Sequence, residues 1–159
     1  MELKQAEKLA RELIEKHNPK CKFKFDNAKR RFGCCKRNKF SGELTISLSK
    51  DLTLMNDEEK VKDTILHELA HSLVDWGHGH DWVWRSKALE IGCNGERCYD
   101  SNVVNKPKGK YVYVCPNCKK EYDCFRKRKR ASACAECCNK YNNGRYTDKF
   151  KLELKEVNK

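Results

Sequence analysis

The run His67-Glu68-Leu69-Ala70-His71 sets two imidazoles and a carboxylate at the spacing of a zinc-dependent hydrolytic site. On a helix, positions four apart project about 40° from each other and sit one turn apart. One ion can then bind both His67 and His71. The two project roughly opposite Ile65, so such a helix packs by one side and presents ligands into a cleft by the other. A catalytic zinc keeps three protein ligands and an open position for water, whose pKa it lowers towards about 7. Glu68 is then the expected general base, taking a proton from the attacking water and passing it to the leaving amine. The bland alternative is a helix with two surface histidines and an incidental glutamate. Against it stands the clustering: His67, His71, His78 and His80 are four of the chain's five histidines. Zinc is the expected ion.

The third ligand is open at this level. His78 and His80 both lie past Gly77, where the chain can turn back, and Asp81 or Glu90 would serve chemically. Arg85, Tyr99 and His80 are candidates to steady an oxyanion. A second constellation lies further on. Cys115-Pro116-Asn117-Cys118 and Cys134-Ala135-Glu136-Cys137 are two Cys-x-x-Cys pairs that can close a tetrahedral four-thiolate site. Such a closed site is structural, and a second zinc is expected there. Cys138 is an alternative to Cys137, and Cys124 reads as a free thiol. Cys21, Cys34, Cys35, Cys93 and Cys98 have no metal spacing and read mostly as small buried residues. Between the pairs runs Phe125-Arg126-Lys127-Arg128-Lys129-Arg130, suited to phosphate contacts, with Phe125 and Tyr122 available to stack on unpaired bases. A solvated loop or a localisation signal is the competing reading.

The elements that must position these residues follow from periodicity and punctuation. Leu3, Ala6, Leu9, Ala10, Leu13 and Ile14 share a helical face over 2–16, stopped by Pro19. Strands are expected over 21–25, 28–37 and 43–49. Asn56 is the expected N-cap of the histidine helix, which should run to Asp75 or Trp76 before Gly77. Asp81 caps a further helix through Trp84, Ala88 and Ile91. Lys106-Pro107-Lys108-Gly109-Lys110 reads as linker. Beyond it Tyr111–Val114 leads into the cysteines, Asn143-Gly144 marks a turn, and Phe150, Leu152 and Leu154 alternate as a closing strand. The expected organisation is a domain over 1–103, a linker over 104–110 and a small module over 111–159.

Composition narrows the partners. Of 159 residues 36% are charged and 38% apolar, with a formal net charge of +12. Residues 1–103 hold 19 basic and 17 acidic side chains, while 104–159 hold 16 and 6, so the excess belongs to the last third. A concentrated positive field favours a polyanion, with nucleic acid ahead of a membrane surface. No apolar run is long enough to span a bilayer, and the start lacks a signal-peptide pattern. Eleven cysteines without a secretory signal point to metal ligation in a reducing compartment. An intracellular protein, cytoplasmic or nuclear and monomeric, is the expectation.

The stretch His67-Glu68-Leu69-Ala70-His71 followed by His78-Gly79-His80-Asp81-Trp82 resembles the SprT-like metallopeptidases. In that family a His-Gly pair, any residue, an acid and an aromatic follow the helix, and the histidine of the pair is the third ligand. The resemblance thus implies His78 as ligand beside His67 and His71, with His80 at a variable position. It implies an α+β, zincin-like domain: an N-terminal helix, a three-stranded antiparallel sheet, the peptidase helix and a second helix. A small β zinc ribbon held by Cys115, Cys118, Cys134 and Cys137 follows. Members of the Spartan type digest proteins crosslinked to DNA, which implies protein substrates and single-stranded or damaged DNA as partner. They also carry long tails with partner-binding motifs. This sequence ends at Lys159, so the ribbon is the expected targeting element. A nucleic-acid-binding scaffold with an idle peptidase site is the rival reading.

Overall fold

A computed structural model describes residues 1–97 and 104–157. The chain divides into two compact units, Met1–Pro107 and Lys108–Lys159. Both are mixtures of helix and small sheet.

The first unit opens with helix α1, Leu3–His17, which buries Ala6, Ala10 and Ile14. Two alanines on the buried face let α1 approach its neighbour closely. Strands β1 (Lys22–Asp26), β2 (Gly33–Arg37) and β3 (Leu44–Ser49) form a sheet of order β1-β3-β2. The expected all-antiparallel sheet is corrected here: β2 is antiparallel to β3, but β1 runs parallel to it. Burial explains the arrangement. Ile46, Ser47, Leu48 and Ser49 are all buried, so β3 needs a neighbour on each edge, while Lys22, Lys24, Lys36 and Arg37 suit the rims. The chain therefore carries β2 to the far side and turns back through Asn38–Glu43, with Gly42 at φ +70°, to insert β3 between.

A short helix that periodicity did not signal, α2 (Lys50–Met55), starts directly from β3, its first turn capped by Ser49 Oγ accepting from the Leu52 amide at 3.2 Å. It displaces the expected cap. Asn56 closes α2, and its buried side chain donates to Leu52 O (2.7 Å) and Asn105 O (3.0 Å) and accepts from the Asn105 amide (2.9 Å). Asp57 is the N-cap of α3, Glu58–Leu73, accepting from the Lys60 amide at 3.0 Å. Helix α3 buries Val61, Ile65, Leu66, Leu69 and Ala70 and packs on α1, β2 and β3. It ends before the expected position because β-branched Val74 is already extended. Helix α4, Trp82–Glu90, starts as expected from Asp81, whose Oδ1 accepts from the Val83 and Trp84 amides at 3.1 Å. It lays Trp84 and Ala88 against α3.

The second unit is a sheet of order β5-β4-β6, all antiparallel, from β4 (Tyr111–Val114), β5 (Glu121–Cys124) and β6 (Glu153–Val157). Helix α5, Ala135–Tyr141, emerges from the second cysteine pair, and a 3₁₀ turn at Asp148–Phe150 takes the first residue of the expected closing strand. Five of the eight residues in its core are cysteines, with Tyr113, Phe150 and Leu152.

The two adjacent polar residues at the α2–α3 junction do different work. Removing the exposed cap in Asp57→Ala is expected to cost about 1 kcal/mol. Asn56→Ala leaves buried backbone groups unpaired and is expected to cost about 2–3 kcal/mol. Urea unfolding followed by tryptophan fluorescence checks the order, since all three tryptophans lie in the first unit.

Candidate active site

Helix α3 presents His67 and His71 one turn apart, with ring centroids 5.1 Å from each other. The third imidazole beside them belongs to His80. Its Nε2 lies 2.9 Å from His67 Nε2 and 3.1 Å from His71 Nε2. All three rings rest on the indole of Trp84, at centroid distances of 4.6, 5.2 and 4.6 Å for His67, His71 and His80. Trp84 is fully buried, so the donors share a rigid apolar floor.

His78, the ligand that the resemblance implies, is not brought to the pair. Its Nδ1 lies 2.7 Å from Asp81 Oδ2, at the start of α4. The two oxygens of Asp81 are thus divided between capping α4 and holding His78. His80 directly precedes the cap, and its ring meets Trp84 four positions on. That spacing is the signal the sequence reading passed over: the histidine one helical turn ahead of the buried tryptophan is the one held near α3. Of the acidic alternatives, Asp81 is engaged as described and Glu90 pairs with Lys87 at 2.5 Å. Among the proposed oxyanion groups, His80 joins the triad, Arg85 is exposed on α4, and Tyr99 lies outside the described residues.

Glu68 faces the sheet side of the same turn and is only 8% exposed. Burial pushes its carboxyl up to about 7, opposed by the Cys35 amide that donates to it and by the charge of Arg31. Burial likewise holds His67 and His71 down at about 4, with further lowering from His80 on His67, and from His67 and His80 on His71. Burial also lowers His80, as does Arg97. The triad is therefore neutral near pH 7, the form in which imidazole binds metal. These residues line a cleft of about 860 Å³ walled by Arg30–Cys35, Thr64 and the Asp75–His80 loop.

The donor set fits zinc. Tetrahedral zinc with nitrogens at about 2.0–2.1 Å holds them about 3.3 Å apart, close to the spacing found, and three donors leave one position open. In the second unit the four sulfurs of Cys115, Cys118, Cys134 and Cys137 lie within 4.8 Å of one another, with Cys115–Cys137 at 3.8 Å and Cys118–Cys134 at 3.7 Å. Zinc–sulfur bonds of about 2.3 Å give tetrahedral edges of about 3.8 Å. Tyr122 Oη lies 3.0 Å from Cys134 Sγ, and Asn117 Nδ2 donates to Cys137 Sγ at 3.4 Å, as outer-shell partners do. Cys138 and Cys124 are buried outside this group, as are Cys21 and Cys93 in the first unit, while Cys98 lies outside the described residues.

In the basic run, Arg126, Lys127, Lys129 and Arg130 are exposed. Arg128 is not one of this set: its guanidinium covers Tyr113 at 5.2 Å and donates to Ser132 Oγ at 2.7 Å. The half-buried Tyr122 is tied to the cysteines. Exposed rings occur instead at Tyr141 and Tyr146, which sequence reasoning did not single out, with Lys140 over the Tyr141 ring at 5.2 Å.

Residues 3–104 match the model of the SprT-like family, and the chain belongs to that family. Its domains are metallopeptidase-like, and the chain carries a three-histidine and a four-cysteine group that could each hold a metal ion. A comparison with curated proteins found no match. Among the described residues no helix is long and apolar enough to cross a membrane.

The shifted groups pull stability in opposite directions when metal is stripped. Below 6.5 the unfolded chain protonates His67 and His71 while the folded chain resists until about 4, so stability falls with acid. Above 4.5 the unfolded chain ionises Glu68 while the fold resists until about 7, so stability falls with base. Two groups outweigh one. With chelator present, the first unit is expected to be more stable at pH 6.5 than at 4.5, and the rise to be steeper in Glu68→Gln. Urea midpoints from tryptophan fluorescence measure both slopes.

Proposed function

We propose that the chain is a zinc-dependent endopeptidase that acts on proteins bound or crosslinked to DNA. The observation that carries the catalytic part is Glu68, a buried carboxyl with its pKa raised to about 7, one residue from a convergent set of neutral imidazoles. His67, His71 and His80 would hold the zinc, with His80 in the place first assigned to His78. Zinc bound there supplies Lewis-acid polarisation of the scissile carbonyl and acidifies water. Glu68 takes the proton of the attacking water and delivers it to the leaving amine, a task suited to a group titrating near neutrality. Strand β2 is an edge of its sheet and walls the cleft, so an extended substrate can lie along it by strand addition. The second zinc belongs to Cys115, Cys118, Cys134 and Cys137 and has a folding role.

The DNA part rests on charge and its placement. The last third holds the positive excess, and Arg126, Lys127, Lys129 and Arg130 are exposed beside a module that also exposes Tyr141 and Tyr146. Cations with exposed aromatic side chains suit unpaired bases and phosphates without sequence preference, so single-stranded or damaged DNA is the proposed partner of a monomeric, intracellular enzyme.

The test is cleavage of a DNA-binding protein by the purified chain, with and without single-stranded DNA. Glu68→Gln is expected to lower the rate by about 10²–10⁴-fold. Cleavage that survives it sinks the mechanism, and cleavage indifferent to DNA removes the second half of the proposal. Metal analysis is expected to find two zinc ions per chain, one of which is lost in His80→Ala and none in His78→Ala.

A further inference from the structure

We infer that Gly33 is a positioning residue for Glu68: its missing side chain is the space that the Glu68 shaft and carboxyl occupy. A Cβ at position 33 would lie 2.7 Å from Glu68 Cγ, 2.7 Å from Glu68 Oε1 and 2.8 Å from Thr64 Cγ2. Real Cβ contacts do not reach such distances, so something must move. The inference rests on the reading of Glu68 as the base.

The surroundings decide what moves. Gly33 begins β2 and is paired with Leu48 of the buried central strand, so the backbone cannot retreat. Thr64 Oγ1 donates to Lys60 O at 2.8 Å, which fixes the rotamer that aims Cγ2 at Gly33. Glu68 is therefore the group displaced, and it loses the Cys35 amide as it leaves. The backbone at Gly33 is not left-handed, so alanine is conformationally acceptable there and carries no glycine penalty in a strand. Glycine at this position answers to space and not to backbone freedom.

The experiment uses the full chain. Gly33→Ala is expected to keep both zinc ions and a KM within a few-fold of the wild type, while kcat falls about 100-fold, as displacement of a reacting group by about 1 Å does. Thr64→Ser keeps the hydroxyl and removes Cγ2, so in the Gly33→Ala background it is expected to restore part of kcat. Unchanged kcat in Gly33→Ala overturns the inference. A stability cycle reads the same contact without activity. Alanine at 33 is expected to lower the melting temperature in the wild-type background and to cost clearly less in Glu68→Ala, where Cγ and the carboxyl are gone. It is expected to be tolerated in Glu68→Ala with Thr64→Ser, where Thr64 Cγ2 is gone as well. An equal loss in the wild-type and Glu68→Ala backgrounds makes Gly33 a purely structural residue and overturns the inference. If the wild type cleaves nothing, the enzymatic reading fails while this coupling is still measured.

Discussion

The contact between the indole of Trp84 and three imidazoles is the interaction on which the rest of the first unit depends. A helix that must bury Ile65 and Leu69 on one side has only its other side for chemistry, and that side is polar. Without an apolar partner it would face open water. Trp84 supplies the partner from α4, and its ring is broad enough to seat His67, His71 and His80 together. Asp81 sets the height of that helix by capping its first turn, which in turn places His80. One aromatic ring and one cap thus convert two histidines on a helix into three convergent donors.

Glu68 is held by the opposite device. Its neighbours are strand backbone and small residues, and the withdrawal from water that raises its pKa comes from closeness of β2 to α3. Apolar packing on one side and backbone proximity on the other give adjacent residues different electrostatic surroundings. The second unit solves a simpler problem. Its core is mostly thiols, with little apolar bulk for so short a segment, and a metal ion held by the four cysteines would supply cohesion.

Much of this was legible in the residues. The 3.6-residue repeat marked α1, α3 and α4, and Asp81 was readable as a cap because the oxygen that caps serves the turn directly after it. The cysteine spacing found the four sulfurs that converge. What was hidden depended on partners distant in sequence. Asn56 and Asp57 are equally good caps locally, and what separates them is that Asn56 is taken up by the end of α2 and by its long-range pairing with Asn105. Alternation reveals strands but not their order, so the parallel placement of β1 on β3 was invisible until the burial of both faces of β3 was known. His78 and His80 differ in whether Trp84 or Asp81 claims the ring, a competition between packing and hydrogen bonding that motif spacing does not register. Tyr141 and Tyr146 escaped because exposure of an aromatic is a property of the folded surface.

The three imidazoles are separated by at most 13 positions, all within the stretch from α3 to α4. The slot for Glu68 needs β2, from much earlier in the chain. Loop closure favours the shorter span, so the three imidazoles can converge before α3 docks on β2 and closes the slot around Glu68. Loosening of the contact between α3 and β2 would therefore free the Glu68 carboxyl while leaving the three imidazoles together.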